Sequence, residues 1–177
     1  VVICDVDDTF LNNRFEEQLK FMEENQNYSV VGSNVFLIDK NSNRINEVNH
    51  YLPSSELREK ILCKHVFNSS TLFFRKKCVD EVGGYNSKYE MVNDYDQLFR
   101  LSKKFNIASL NRTLVCSRQH DNNLSFQKIV KGQIELIKLK MDILNSVKDI
   151  NTKIKIYQSI IITLFRITYH SLRNFFK

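Results

Sequence analysis

Hydrophobic and polar positions alternate along the chain in blocks that predict an α/β architecture. Helical patterns are present in four segments, at residues 14–25, 55–64, 76–82 and 94–105. Segments rich in β-branched and aromatic residues predict strands at 29–39, 70–75, 107–110 and 113–118. Residues 1–4 are apolar and precede an acidic cluster, which is typical of a buried parallel strand that ends at a functional edge.

The first predicted helix has a clear apolar face, because Phe15, Leu19 and Met22 recur at helical spacing. Asn13, followed three residues later by Glu16, resembles a capping box in which Asn takes the Ser/Thr role. We therefore expect an amphipathic helix that begins directly after Asn13.

From Phe126 onward the pattern changes to two long helical stripes. The first contains Val130, Ile134, Ile137, Met141 and Leu144, and the second contains Ile154, Tyr157, Ile161, Leu164, Thr168, Leu172 and Phe175. Packing of such stripes on the chain's own domain is the commoner explanation. The ten residues 156–165 are free of charge, well short of the roughly 20 that span a bilayer.

The formal net charge is +6, and the whole excess lies in residues 126–177, which contain 10 Lys and Arg against 3 Asp and Glu. A nucleic-acid-binding body would carry its Lys and Arg on the folded face, so this distribution argues against nucleic acid as a partner. It favours peripheral contact of residues 126–177 with an anionic membrane surface. Packing on the body, or formation of a homodimer, are the alternatives.

Composition narrows the class of protein further. Four Gly and one Pro exclude collagen-like, linker-like and Pro-rich low-complexity proteins. The four cysteines form no C-x-x-C pair, and each is expected to be a small buried residue in a reducing compartment. We expect the protein in the cytoplasm, with peripheral contact at the inner membrane face. The opening Val1-Val2-Ile3 looks like a strand already under way, so we expect a piece of a longer protein.

The most informative stretch is Asp5-Val6-Asp7-Asp8-Thr9, directly after the first predicted strand. As D-x-D-x-T it would supply a nucleophile and an acid/base group beside Mg²⁺, and it then resembles the opening motif of haloacid-dehalogenase-type phosphatases. As D-x-D at a strand end it would hold Mg²⁺ or Mn²⁺ against the diphosphate of a nucleotide-sugar. Hard carboxylate oxygens suit these ions in both cases. An acidic turn without chemistry is the third explanation.

The rest of the chain separates these explanations. A phosphatase of that type needs a later Ser or Thr after a strand, a Lys, and a second acidic pair after another apolar strand. The sequence contains no convincing ordered set of these residues. The second acidic cluster, residues 93–96, opens a predicted helix instead.

An ordered series of segments in residues 1–125 resembles the second half of a family 2 glycosyltransferase of the GT-A fold. An ordered series is far more specific than any single motif. The segments are DVDD (5–8) for the D-x-D-D element, NRFEEQLKFMEEN (13–25) for the next helix, VVGSNVFLIDKNSNRI (30–45) for the next strand and hairpin, NSSTLFFRKKCVDEVGGYN (68–86) for the acceptor-side segment, NDYDQLFRLSKKF (93–105) for the E-D-Y-D helix start and SRQHDNNLS (117–125) for the R-x-H-x-x-x-x-S ending.

The resemblance implies an α/β protein. Residues 1–125 would form a partial GT-A fold, its C-terminal, acceptor-side half, and residues 126–177 a basic amphipathic helical region. The implied function is transfer of a sugar from a nucleotide-sugar donor to a glycan or lipid-linked acceptor in cell-surface polysaccharide synthesis. A phosphatase and an inactive half-domain that only binds partners are the alternatives.

The resemblance also implies roles for individual residues. Asp94 would be the general base of an inverting transfer, and Asp7 and His120 would hold the divalent cation, Mn²⁺ or Mg²⁺. Asp5 would contact the ribose or the metal, and the other implied substrate-binding residues are Asp8, Asn93 and Gly84. A helix N-cap role for Asp94 and an ordinary strand-end role for His120 are the alternatives.

Two features near Asp94 are expected to be structural. Asp96 and Arg100 are four residues apart on the predicted helix and should pair with each other. Gly83 and Gly84 should form a turn that requires glycine and lies close to the acceptor.

Overall fold

A computed structural model describes residues 1–120 and 128–175, with side chains as far as Tyr169. The strands are β1 (Thr9–Phe10), β2 (Tyr28–Ile38), β3 (Arg44–Val48), β4 (Phe73–Phe74) and β5 (Asn106–Arg118). The helices are α1 (Arg14–Glu24), α2 (Ser54–Cys63), α3 (Lys76–Val82), α4 (Asn93–Lys104), α5 (Ile129–Ser146) and α6 (Ile150–Phe175), with a 3-10 turn at Ser69–Thr71. The predicted α/β class is confirmed.

The sheet is built around two long parallel strands. β2 and β5 pair from Tyr28 opposite Asn106 to Ile38 opposite Arg118. β1 lies antiparallel on the outer edge of β5, and the other edge of β2 is shared by β4 near its start and β3 near its end. Because β2 and β5 run in the same direction, their carboxyl ends lie at one edge of the sheet, where loops of the site begin.

Two strand predictions are corrected. Residues 106–118 form one strand rather than two, with irregular register where β2 passes from Ser33 to Val35. Only Phe73 and Phe74 of the predicted strand 70–75 are extended in a ladder. The residues before them form the 3-10 turn, because the Asn68 side chain accepts from the Ser70 amide at 3.0 Å and Thr71 donates to the Asn68 carbonyl at 2.7 Å.

Residues 1–4 do not form the predicted buried parallel strand. Val2 makes an isolated antiparallel bridge with Phe73, and Val1 is 55% exposed. A buried parallel strand pairs with a strand of the same direction and is covered on both faces. In the described part of the chain this segment pairs along one edge, next to β4.

Helix α1 forms as predicted, but it buries a different face. Phe15 and Leu19 are about half exposed, whereas Arg14, Gln18 and Met22 are buried. The Asn13 side chain makes no capping hydrogen bond. The polar side chains face inward because they satisfy buried backbone groups: Gln18 donates to the Thr71 carbonyl at 2.7 Å, a contact that the spacing of apolar residues does not encode.

The main core lies between the sheet, α2, α4 and the two C-terminal helices. The α4 residues Tyr95, Leu98 and Leu101 are at most 1% exposed, as their helical spacing predicts. They pack with fully buried residues of other elements, among them Leu57, Ile61, Leu72, Ile143 and Ile156.

Helices α5 and α6 pack on each other and on α2, but their buried faces coincide with the predicted stripes only in part, at Ile137 and Leu144 of the first stripe. Ile134 and Met141 of the first stripe are exposed, and α5 buries Glu135, Leu139, Lys140, Ile143 and Leu144. On α6 the buried residues are Ile156, Ile160 and Thr163, while the predicted stripe is exposed at Ile154, Tyr157, Ile161 and Leu164. The side chains of Leu172 and Phe175 lie outside the described part of the chain.

The interface between α5 and α6 is partly polar, which explains why the buried faces differ from the predicted apolar stripes. Lys140 donates to the Ser159 carbonyl at 3.0 Å and to the Thr163 hydroxyl at 2.8 Å, and Ser159 donates to the Cys63 carbonyl at 2.6 Å. These contacts turn the polar residues of the helices inward. Within the described ranges, the helices are all too short or too polar to cross a bilayer.

The cysteine prediction holds in part. All four cysteines lie in described segments and are free thiols. Cys78 and Cys116 are buried, as expected, and Cys63 is partly buried. Cys4 is exposed, because the segment that contains it leaves the sheet edge.

Gly32 is required by close packing of β2 against an aromatic ring. A Cβ atom at this position would lie 2.3 Å from two carbon atoms of the Phe67 ring. Phe67 is itself 4% exposed and belongs to the main core, so the ring has little room to move.

We expect Gly32→Ala to lower the free energy of unfolding by about 1–3 kcal/mol, because overpacking displaces a buried ring. Gly132→Ala in α5 is the matched control, since its Cβ would lie 3.6 Å from the Met91 Cβ, an ordinary contact. Alanine in a helix should leave the stability unchanged or raise it by about 0.5–1 kcal/mol. Urea denaturation followed by circular dichroism measures both, and equal losses would contradict the role of Phe67.

Candidate functional site

The 3-10 turn at Ser69–Thr71 brings the two acidic clusters of the sequence together. The Ser69 hydroxyl donates to Asp94 Oδ2, and the Ser70 hydroxyl donates to Asp5 Oδ2 at 3.0 Å. Since Ser69 and Ser70 are adjacent, the first acidic loop and the start of α4 meet across one short turn. Two adjacent serines therefore bind carboxylates that are 89 positions apart in the sequence.

Arg118 fixes the acidic loop at the carboxyl end of β5. Its backbone amide donates to Asp8 Oδ1 at 2.8 Å, and its Nε donates to the Asp7 carbonyl at 3.1 Å. Its Nη1 donates to the Asp39 carbonyl at 2.8 Å and to the Ser42 hydroxyl at 3.1 Å. One guanidinium therefore ties the acidic loop to the turn between β2 and β3.

The acidic residues are close enough to perturb one another. Partial burial raises the pKa of Asp5, the hydrogen bond from Ser70 opposes this, and Asp8, Asp7 and Asp94 raise it further. The pKa of Tyr85 is raised by burial and then by Asp94 and Asp5. The site therefore concentrates negative charge, which is the electrostatic condition for binding a cation.

A buried arginine lies on the inner side of this loop. Arg14 is fully buried, donates to Gln18 Oε1 at 3.1 Å and lies 3.9 Å from the centroid of the Phe10 ring. Burial lowers the pKa of Arg14 to about 10, and Cys4 and Asp8 oppose that shift. Its positive charge compensates part of the negative charge of the acidic loop.

The predicted metal ligands Asp7 and His120 are in contact, with His120 Nε2 2.9 Å from Asp7 Oδ2. Asp8 Oδ2 is buried and has no hydrogen-bond partner within the described residues. The described ranges contain no group of three or more His, Cys, Asp or Glu side chains arranged to hold a metal ion. Asp7 would supply one carboxylate ligand and His120 one imidazole nitrogen, and a Mg²⁺-type ion bound by one carboxylate takes its other ligands from water and substrate phosphates.

Asp94 lies in the first turn of α4 and is held on both oxygens. Oδ1 accepts from the Tyr95 amide at 2.7 Å, and Oδ2 accepts from Ser69. The N-cap position is occupied by Val92, so Asp94 is not the helix cap that sequence reasoning offered as an alternative. Its carboxylate is partly exposed, which leaves it accessible to a hydroxyl group.

His65 lies beside Asp94, with Nδ1 3.7 Å from Oδ2. Its ring stacks on Tyr95, with the ring centroids 5.5 Å apart. Burial lowers the pKa of His65, and Asp94 opposes the shift. The lowered pKa favours the neutral imidazole near pH 7, and the 3.7 Å separation is too long for a hydrogen bond to Asp94.

The remaining predicted residues lie on α4 or in the glycine turn that packs against it. Asn93 begins the helix, and Gly83 and Gly84 adopt left-handed backbone angles, with φ of 88° and 64°. The predicted pair of Asp96 and Arg100 is confirmed at 2.8 Å. Arg100 also donates to the Val82 and Gly84 carbonyls, so it holds the glycine turn against α4.

Sequence reasoning missed several residues that shape the site: His65, Ser69, Ser70, Tyr85 and Arg118. The resemblance contains two usable signals, because the Gly-Gly-Tyr turn includes Tyr85 and the R-x-H element includes Arg118. The serines and His65 carry no comparable signal. The part of that last element at residues 121–125 lies outside the described residues.

Two comparisons with known proteins bear on this arrangement. The sequence model of the family described as glycosyltransferase-like family 2 matches residues 1–137. The chain is also 25% identical to an uncharacterized glycosyltransferase of Methanocaldococcus jannaschii over an alignment 195 positions long. The alignment covers 86% of this chain and 67% of the relative.

We expect Arg118→Ala to increase amide hydrogen exchange of residues 5–8 and 39–42 by about tenfold or more, because hydrogen bonds from a charged group are lost at both segments. Arg118→Lys should behave similarly, since an ammonium cannot reproduce the planar guanidinium contacts. Arg112→Ala is the matched control, because Arg112 is exposed on the same strand. Unchanged exchange in both Arg118 variants, measured by mass spectrometry, would show that Arg118 does not fix the loop.

Proposed function

The chain belongs to glycosyltransferase-like family 2, and from this we propose that it is a metal-dependent, inverting glycosyltransferase. The donor is a nucleotide-sugar, and the acceptor is a glycan or lipid-linked sugar used for cell-surface polysaccharide. The family match decides against the phosphatase explanation of residues 5–9. The observation that supports the proposal most is the pair of hydrogen bonds from the Ser69–Ser70 turn, one to Asp94 and one to Asp5 of the acidic loop.

In this proposal Asp94 is the general base. An acceptor hydroxyl attacks the anomeric carbon while its proton passes to the Asp94 carboxylate. The bond between the anomeric carbon and the diphosphate oxygen breaks, and its electron pair leaves with the diphosphate. Attack opposite the leaving group inverts the anomeric centre, and a carboxylate suffices because the hydroxyl becomes acidic as the new bond forms.

Asp7 and His120 are the residues that would hold Mn²⁺ or Mg²⁺. When bound there, the ion supplies charge stabilisation for the departing diphosphate. Asp5 and Asp8 flank Asp7 in the sequence, and Asp5 accepts a hydrogen bond from Ser70, next to the serine that donates to Asp94. This position fits contact with the ribose or with the ion.

The acceptor side is formed by the start of α4 and the glycine turn. Tyr85 follows this turn and is close enough to Asp94 and Asp5 to be perturbed by both. Asn93 and Gly84 border the same region and are proposed to contact the acceptor. The exposed apolar face of α6 supports peripheral membrane contact, which stays a prediction, as does a homodimer.

We expect Asp94→Asn to lower kcat by about 10²–10⁴-fold and to leave the KM for the donor nearly unchanged, because the amide cannot accept the proton. Asp80→Asn is the control, since Asp80 is an exposed carboxylate on α3 paired with Lys76. The measurement is nucleoside diphosphate release by the full-length protein from a panel of nucleotide-sugars with a glycan library. Normal turnover by Asp94→Asn would remove the base assignment, and no release by the unaltered protein would count against transfer.

We expect Asp7→Asn and His120→Gln to weaken Mn²⁺ binding in the presence of uridine or guanosine diphosphate by at least about tenfold. The loss follows from removal of one of two side-chain ligands. Electron paramagnetic resonance of free Mn²⁺ measures it without any turnover. Asp149→Asn, at the exposed start of α6, is the control and should bind Mn²⁺ normally. If Asp7→Asn and His120→Gln also bind Mn²⁺ as tightly as the unaltered protein does, the cation binds elsewhere.

A further inference from the structure

A separate cavity of about 440 Å³ lies between the start of α4 and the C-terminal helices. Asp94 and His65 form part of its wall on the side of the body. Lys140 of α5 and Arg166 of α6 also line it. The proposed base therefore borders a space that the C-terminal helices help to form.

The cavity is positively charged. Lys64, Lys140 and Arg166 line it, and Asp94 is the one carboxylate among its described lining residues. None of these three cations forms an ion pair within the described part of the chain. The N-terminal end of α4, which also lines the cavity, adds partial positive charge.

Lys140 is the most unusual of these cations, because it is 3% exposed. Its ammonium group donates to the Ser159 carbonyl and the Thr163 hydroxyl, neither of which carries a charge. Burial, followed by the charge of Arg166, lowers the pKa of Lys140 to about 8. Both acceptors are neutral, so the charge of Lys140 has no counter-charge among the described residues, and an anion in the cavity would supply one.

The mouth of the cavity continues into an apolar surface on α6. Ile162 lines the cavity and is 54% exposed, and Phe165 is 70% exposed one turn further along the helix. A ligand with a charged group and a hydrocarbon chain could use both surfaces at once. A water-soluble ligand would use the charged cavity alone.

We propose that this cavity binds a phosphate or diphosphate group of the acceptor and thereby places the acceptor hydroxyl beside Asp94. The inference rests on the proposed function, because it takes Asp94 as the base. Lys140, Lys64 and Arg166 contact the anion, and His65 lines the same cavity beside Asp94. The acceptor is then either a water-soluble sugar phosphate or a sugar joined through phosphate to a lipid.

The donor diphosphate is a poorer occupant of this cavity. Its proposed site has carboxylates and His120, which require a bound cation before they attract phosphate. The cavity has cations of its own and binds phosphate without a metal. Metal dependence therefore separates the two sites experimentally.

The test is calorimetric titration of the full-length protein in EDTA with two probes, inorganic phosphate and farnesyl phosphate below its micelle concentration. We expect Lys140→Met to weaken binding of both probes by about tenfold or more, because a charge-assisted hydrogen bond is lost. Lys138→Gln is the matched control, since Lys138 is exposed on the same helix. Asp7→Asn should retain phosphate binding in the cavity even if it loses Mn²⁺ binding. Loss of Mn²⁺ binding therefore tests the donor site, and loss of phosphate binding tests this cavity.

Folding of the variants is checked by thermal denaturation. Replacement of a buried cation by Met is expected to leave the fold intact, and Arg166→Gln provides a second variant at an exposed position. We expect it to weaken phosphate binding severalfold. If neither probe binds, or if both variants bind like the unaltered protein, the proposal is overturned.

The two probes also distinguish the source of the phosphate. Tighter binding of farnesyl phosphate than of inorganic phosphate, with the difference lost in Ile162→Ser, would identify a lipid-linked acceptor. Equal affinities, both reduced in Lys140→Met, would identify a water-soluble sugar phosphate.

Discussion

Burial of neighbouring carboxylates is the constraint on which the rest of the site depends. Partial burial raises the pKa of Asp5, and the charges of Asp8, Asp7 and Asp94 raise it further. The fold opposes this cost with hydroxyl donors on the 3-10 turn, the backbone amide of Arg118 and the buried guanidinium on α1. These contacts hold the acidic groups in place, so the cation of the proposed reaction would meet carboxylates that are already assembled.

The periodicity of the sequence predicts the helices well and their buried faces poorly. The helices at 14–24, 54–63, 76–82 and 93–104 all lie where the spacing places them. On α1 and α5, however, polar side chains turn inward, because Gln18 and Lys140 donate to carbonyl groups of other segments. Hydrophobic spacing carries no information about which buried carbonyls need a donor. The apolar stripe of α6 is exposed for the same reason.

The candidate site was predictable where its residues belong to short ordered motifs, as Asp7, Asp94 and His120 do. It was not predictable where contact depends on the path of the chain. Ser69 and Ser70 are ordinary turn residues in the sequence, and their importance arises only when a 3-10 turn places them between two carboxylates. The cationic cavity is a further case, because Lys64 and Arg166 are about a hundred positions apart.

The guanidinium of Arg118 has a mechanical consequence. It joins the loop that carries Asp7 to the reversal at residues 39–42, where Ser42 has a φ of 69°. That reversal is exposed and contacts no substrate in the proposed reaction. A change in its length or rigidity would nevertheless shift the position of Asp7, so in the proposed reaction this surface loop would influence how the departing diphosphate is held.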